Sequence, residues 1–177
     1  MRIILVLIVA TLMNGCGHDV DYSSFEATTV SRSGSFELDM SPDAAFPLFT
    51  APGEVAWAPG WTPFILNGDG YKKGTVWVTE GHGHTAYWYV ENYDTVSRHA
   101  RYVRVTPRAD TGTVDVRVSE NGDGSKITVV YHMTGLSEKG NENLESSFSE
   151  SAYSEMMEHW RELIIDNREK IEKFSNR

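Results

Sequence analysis

Cysteine is nearly absent. Cys16 is the only one, so the chain forms no internal disulfide. Positive charge is scarce as well: 16 Lys and Arg stand against 25 Asp and Glu, and the formal net charge is −9. That balance argues against nucleic acid or a polybasic membrane patch as the basis of function. Long hydrophobic runs are missing. The longest, Ile3 to Met13, falls short of the roughly 20 residues that a helix needs to span a bilayer core of about 30 Å. Catalytic signatures are missing too. Gly135-Leu136-Ser137 lacks the second glycine of a nucleophile elbow, and no dinucleotide-binding glycine motif, P-loop or HExxH zinc motif occurs. Nothing pairs a nucleophile with its base, and no cofactor is expected.

Glycine and proline are absent from Asn141 to Phe174, and that stretch organises the rest. Phe148, Ala152, Met156, Trp160, Leu163, Asn167, Ile171 and Phe174 recur at steps of three to four, one stripe of a helix. Tyr153, Met157 and Ile164 widen the stripe, and charged residues fill the opposite face. So broad an apolar face needs a large partner, which the strands upstream supply.

Alternation predicts those strands at Ser35–Met40, Ile65–Leu66, Thr75–Glu80, Thr85–Tyr93, His99–Thr106, Thr113–Glu120 and Lys126–Thr134. Asn67-Gly68-Asp69-Gly70 and Asn121-Gly122-Asp123-Gly124 are strong turn sequences. Ser41-Pro42-Asp43 starts a short helix over Ala44–Phe49, with Ser41 as its N-cap. A second helical turn is expected over Glu54–Trp57. The expected class is α+β: a curved antiparallel sheet of about seven strands around one long C-terminal helix, with two short helices after the first strand.

At the N-terminus, basic Met1-Arg2, the apolar run and Met13-Asn14-Gly15-Cys16 resemble a bacterial lipoprotein signal, although Met13 and Asn14 depart from its commonest form. The resemblance implies a signal peptide over 1–15, lipidation of Cys16 and a polar tether over 16–33, with the folded domain at 34–177. It places the protein in the cell envelope, anchored to a bacterial membrane through lipid on the periplasmic side or the cell surface.

The segment SFELDMSPDAAFPLFTAPGEVAWAPGW, the strand run and the terminal helix resemble the START-like superfamily, also called SRPBCC or Bet v 1-like. Within it they are most similar to the polyketide cyclase/dehydrase-like branch. The resemblance covers roughly Ser33 to Phe174. It implies a helix-grip fold enclosing an elongated apolar cavity for a lipid or other hydrophobic small molecule. Fold alone does not fix function.

Aromatic residues with polar tips suit such a pocket, and Trp77, Tyr87, Tyr89, Tyr102, Tyr131, Met156 and Trp160 are the candidate ligand contacts; they suit a plain core or cross-strand pairs equally. His132 and Arg104 are weak catalytic candidates, as acid/base and carboxylate or oxyanion partner; a structural histidine explains His132 as well. Glu80, His82 and His84 alternate like metal ligands, but the glycines between them read as a solvated hairpin loop. Trp57 and Trp61 flank a Pro-Gly break, as a lid over a cavity or as packing beneath the short helices. Three functions follow: a lipid-anchored protein binding a hydrophobic small molecule, a cyclase or dehydratase enzyme, and an interaction module of the envelope. A purely apolar cavity favours the first, His132 or Arg104 pointing inward the second, and a sealed interior the third. The oligomeric state is left open.

Overall fold

Period-two patterning over the middle of the chain produces seven strands, described in a computed structural model that covers residues 24–81 and 83–175. They are β1 (Thr29–Leu38), β2 (Phe64–Asn67), β3 (Val76–Gly81), β4 (His84–Asp94), β5 (His99–Thr106), β6 (Asp110–Asn121) and β7 (Gly124–Gly135). All pair antiparallel, in the order β1-β7-β6-β5-β4-β3-β2, so β2 to β7 form a meander and β1 closes against β7. Between β1 and β2 lie α1 (Pro42–Ala45), a 3-10 turn (Phe46–Phe49) and α2 (Ala51–Glu54). After β7 come α3 (Glu138–Ser147), α4 (Glu150–Asp166) and α5 (Arg168–Ser175). The expected α+β helix-grip architecture is present.

Turn chemistry sets the register. Asn121 pairs with Gly124 across a two-residue loop, and Gly122 takes the positive φ of 59° that the tight reversal requires. Between β4 and β5, the Asp94 carboxylate accepts from Val96 N–H at 2.9 Å and from the Ser97 hydroxyl at 2.7 Å, closing the bend locally.

Two elements depart from the sequence reading. The expected single helix is three. Ser149 accepts a hydrogen bond from Ala152 N–H at 3.3 Å and starts α4 as an N-cap, which ends the preceding helix at that point. Asn167 interrupts again, its side chain donating back to Leu163 O at 2.9 Å. The sheet also begins earlier than expected: β1 starts at Thr29, inside the stretch 16–33 read as a tether, and pairs with β7 from that residue. Ser41 holds the N-cap position of α1 but makes no capping hydrogen bond; Thr50 caps α2 by accepting from Gly53 N–H at 3.1 Å.

The core lies between the inner face of the sheet and the short helices with α4. Phe36, Leu38, Val114, Val116, Val118, Ile127, Val129 and Met133 project from the strands and are buried. Tyr153, Met157 and Ile164 face them from α4. Trp57 is buried, donates from Nε1 to Leu48 O at 2.7 Å, and meets Trp160 edge-on at 5.5 Å, so it packs beneath the short helices.

The closest seat of α4 is on β1 at Gly34. A Cβ there would lie 2.6 Å from Met157 Cγ and 2.9 Å from Tyr153 Cε1. Met157 can yield, but the Tyr153 hydroxyl is fixed by donation to Val129 O at 2.8 Å. Gly34→Val is therefore expected to destabilise the fold by about 1–3 kcal/mol, the usual cost of overpacking. A lowered urea midpoint at unchanged slope would show it, and an unchanged midpoint would refute the seat.

Candidate functional site

Between α4 and the middle strands the core is not filled. A cavity of about 190 Å³ remains, and every layer contributes to its wall. Phe49 and Glu54 enter from the short helices, Trp160 from α4, and Trp61 from the loop before β2. The sheet supplies Trp77, Trp88, Tyr102, Arg104 and Tyr131, with Val114 and Val116 at the floor. An open groove of about 550 Å³ shares Trp61, Trp88 and Arg104 with it and adds Glu80, His84 and Asp110, forming its mouth.

The aromatic wall is ordered by ring contacts. Trp77 and Trp88 stack with centroids 5.7 Å apart and planes 2° from parallel. Trp61 and Tyr102 meet this pair edge-on, Trp61 against Trp88 at 5.9 Å and Tyr102 against Trp77 at 5.6 Å. Most polar tips are engaged. Tyr102 O–H donates to Phe49 O at 2.7 Å, Trp61 Nε1 to Ala51 O at 2.9 Å, and Trp88 Nε1 to Thr79 Oγ1 at 3.1 Å. Arg104 is held by Asp110 at 2.6 Å and lies 5.8 Å from the Trp88 ring centroid, a cation–π placement.

Trp77 Nε1 is buried on the wall with no hydrogen-bond partner, and among the described residues nothing hydrogen-bonds the Tyr131 hydroxyl or the half-buried Glu54 carboxyl. Such groups are costly to bury unmatched. Burial pushes the Glu54 carboxyl from its ordinary 4.5 up to about 8, and pushes Tyr131 up to about 12. Glu54 is thus largely a neutral acid at neutral pH, within an enclosure of rings.

The structure sorts the residues read from sequence. Trp77, Tyr102, Arg104, Tyr131 and Trp160 come together on the cavity wall. Met156 is half-buried at the edge of the core and does not line it. Tyr87 and Tyr89 are corrected: they lie on the outer face of β4, 45% and 39% exposed. Both faces of β4 are aromatic, so alternation alone could not choose between them; Trp88 and Val90 take the inside. Tyr93 then joins the inner face because a register shift between Val90 and Asn92 breaks the alternation, and it stacks on Phe46 at 4.7 Å. His132 is also corrected. It is exposed on the outer face of β7, between buried Tyr131 and Met133, and never meets Arg104 in a shared pocket.

Glu80 is exposed and accepts from the Thr85 hydroxyl at 2.9 Å, and His84 is exposed at the mouth. His82 and Cys16 lie outside the described residues, as do the stretch expected as a signal peptide and the first part of the expected tether. Among the described residues, no three His, Cys, Asp or Glu side chains are placed to hold a metal ion. A surface groove of about 500 Å³ beside α5, lined by Val55, Ile65, Lys173 and Phe174, presents no comparable unpaired polar group. Sequence reasoning missed Glu54 and Asp110, did not choose Trp88 among the candidate contacts, and reached Trp61 only as a candidate lid. For Glu54 a signal existed: it is the one charged residue between Ala44 and Gly70 before Asp69, set among Ala51, Pro52, Gly53, Val55 and Trp57.

No family model matches the chain, and no curated protein matches it in sequence. Solved structures do match in fold. Norcoclaurine synthase from Thalictrum flavum aligns at a TM-score of 0.60 and 15% identity, over 93% of this chain and 98% of that one. Ara h 8.0201 aligns at 0.55 and 13% identity, over 83% and 97%. An uncharacterized protein from Rhizobium leguminosarum aligns at 0.57 and 12% identity, over 84% and 97%. These likenesses establish a Bet v 1-like helix-grip fold.

Because the folded state holds the Glu54 proton more tightly than the unfolded chain, its contribution is fully present below about pH 4.5 and is lost as pH rises through about 8. Glu54→Gln should remove this slope and be the more stable protein in mild alkali, by a few kcal/mol at most. Urea midpoints of both proteins across that range test it; parallel pH profiles would refute the buried acid.

Proposed function

We propose that this chain is a lipid-anchored protein of the cell envelope that binds a mostly apolar small molecule or lipid moiety in the interior cavity. The observation that carries the binding reading is an aromatic interior cavity whose wall holds a buried unpaired donor, Trp77 Nε1, and the unpaired Glu54 carboxyl. Ligand sites are typically apolar enclosures with a few directed polar groups, and a bound molecule would pair those left unmatched here. Seated within the superfamily resemblance, the fold is one that encloses such a space. His132 lies outside and Arg104 is neutralised by Asp110, so the pair that would have supported a cyclase is not assembled. The cavity itself argues against a sealed module acting only through its surface. The anchor rests on Met13-Asn14-Gly15-Cys16.

Native mass spectrometry of the protein produced in bacteria, followed by extraction and identification of bound material, tests the binding reading. A hydrophobic molecule near one-to-one is the expected result; a clean apo mass with no uptake of fatty acids, sterols or aromatic polyketides would overturn it. Val114→Trp, which fills the floor, should abolish uptake, whereas Tyr87→Ser and Tyr89→Ser should leave it unchanged.

For the anchor, Cys16→Ser should move the protein from the membrane fraction to the soluble or unprocessed fraction and abolish labelling by a fatty-acid analogue. Membrane labelling that persists in this variant would refute lipidation at Cys16.

A further inference from the structure

Charge within the cavity is unevenly satisfied. The positive group has its counter-ion: Asp110 Oδ1 accepts from Arg104 Nε at 3.2 Å and from Nη2 at 2.6 Å. The negative group has none. Glu54 is the only other formally charged residue on the wall, and neither a hydrogen bond nor a cation meets its carboxyl among the described residues. Three of the wall donors are spent elsewhere, since Tyr102, Trp61 and Trp88 all donate to other acceptors. The Glu54 carboxyl remains unmatched among ring faces, with Trp77 Nε1 and the Tyr131 hydroxyl as wall donors still unpaired among the described residues. Ring faces carry negative electrostatic potential, and an enclosure of rings with a single carboxylate is complementary to an organic cation.

We infer that the cavity is selective for a small organic amine, its ammonium paired with the Glu54 carboxylate and its apolar body held among Trp77, Trp88, Tyr131 and Trp160. This rests on the reading that the cavity is a ligand site, and adds the charge of the ligand. An ammonium removes the cost of the unmatched carboxyl through a charge-assisted hydrogen bond, which is worth roughly twice a neutral one. A carboxylate ligand would pair with Glu54 only while that carboxyl keeps its proton, and the guanidinium that could receive it is already occupied by Asp110. A neutral ligand gains burial but only a neutral hydrogen bond. The mouth does not oppose entry of a cation: Glu80 and Asp110 offset Arg104, with His84 the remaining titratable group there.

The pairing also fixes a pH signature. At neutral pH an entering ammonium displaces a proton from Glu54, so binding releases protons and strengthens as pH rises towards about 8. The other groups around the carboxyl do not produce this. Tyr102 on β5 and Tyr131 on β7 are both pushed upward by burial, Arg104 is ion-paired with Asp110 of β6, and α4 brings only Trp160 to the wall.

Isothermal titration of the full-length protein in nanodiscs with 2-phenylethylamine, 2-phenylethanol and phenylacetate decides the matter. The expected order is amine over alcohol by roughly tenfold or more, with phenylacetate weakest. Amine binding should release protons and tighten from pH 6 to 8, whereas alcohol binding should not change. Glu54→Gln should abolish the preference and the proton release while retaining the alcohol, which also shows that the variant is folded. Alcohol binding as tightly as amine, or a preference that survives Glu54→Gln or Glu54→Ala, would overturn the amine assignment and leave the binding reading standing. Failure of all three probes together with neutral apolar compounds would overturn both.

Discussion

The seat of α4 on β1 is the contact on which the interior depends. Gly34 lets Tyr153 and Met157 come down onto the sheet, and the Tyr153 hydroxyl locks that approach through Val129 O. The helix is thereby fixed low at the β1–β7 side. Across the curved sheet, towards β3, β4 and β5, the space beneath it widens, and only large rings reach across it. Trp160 from the helix, Trp57 and Phe49 from the short helices, and the stacked Trp77 and Trp88 from the sheet bridge most of the gap. Planar, rigid side chains fill such a space incompletely, and the cavity is what they leave.

The polar groups divide by where they sit in this wedge. On the outer face, His99, Asp115, Arg101 and Glu91 form a partly exposed network, with His99 2.8 Å from Asp115 and Arg101 2.9 Å from Glu91. Water shares that network, so it adds little to stability. Inside, Arg104 and Asp110 neutralise each other near the mouth, and Glu54 stands without a counter-ion. The same residue type is thus inexpensive at one depth and costly at another, which is why the interior acid draws attention and the surface acids do not.

Much of this order was legible before the structure. Val114, Val116 and Val118, and likewise Ile127, Val129, Tyr131 and Met133, share faces as strict alternation requires, because β6 and β7 run without a register shift. Alternation failed on β4, where aromatics occupy both faces and a shift between Val90 and Asn92 turns Tyr93 inward. The start of β1 was hidden for a different reason. Val30-Ser31-Arg32-Ser33-Gly34 has almost no apolar signal, since it joins the sheet as an edge through backbone pairing with β7. The long helix was overextended because its apolar stripe continues through Ser149, whose cap acts on the backbone and leaves the periodicity unchanged. Of the cavity, the strand aromatics could be read. For Glu54 its isolation among apolar residues was a signal, but its lack of a partner in space is something no local pattern records.

One small contact has a mechanical consequence. The Asn141 side chain, in the first turn of α3, accepts from Thr28 N–H at 2.9 Å and donates to Glu26 O at 2.9 Å, clipping the segment that leads into β1 to the helix that follows the sheet. Tension arriving along the chain into Glu26 and Thr28 loads these two bonds, together with that of the Thr28 hydroxyl to Glu145. It passes next into the β1–β7 ladder, which runs from Thr29 to Leu38, and so reaches Gly34 and the seat of α4 only after the clip has given way. The interior is insulated from pulling on the leading segment by a sacrificial fastening, one asparagine wide.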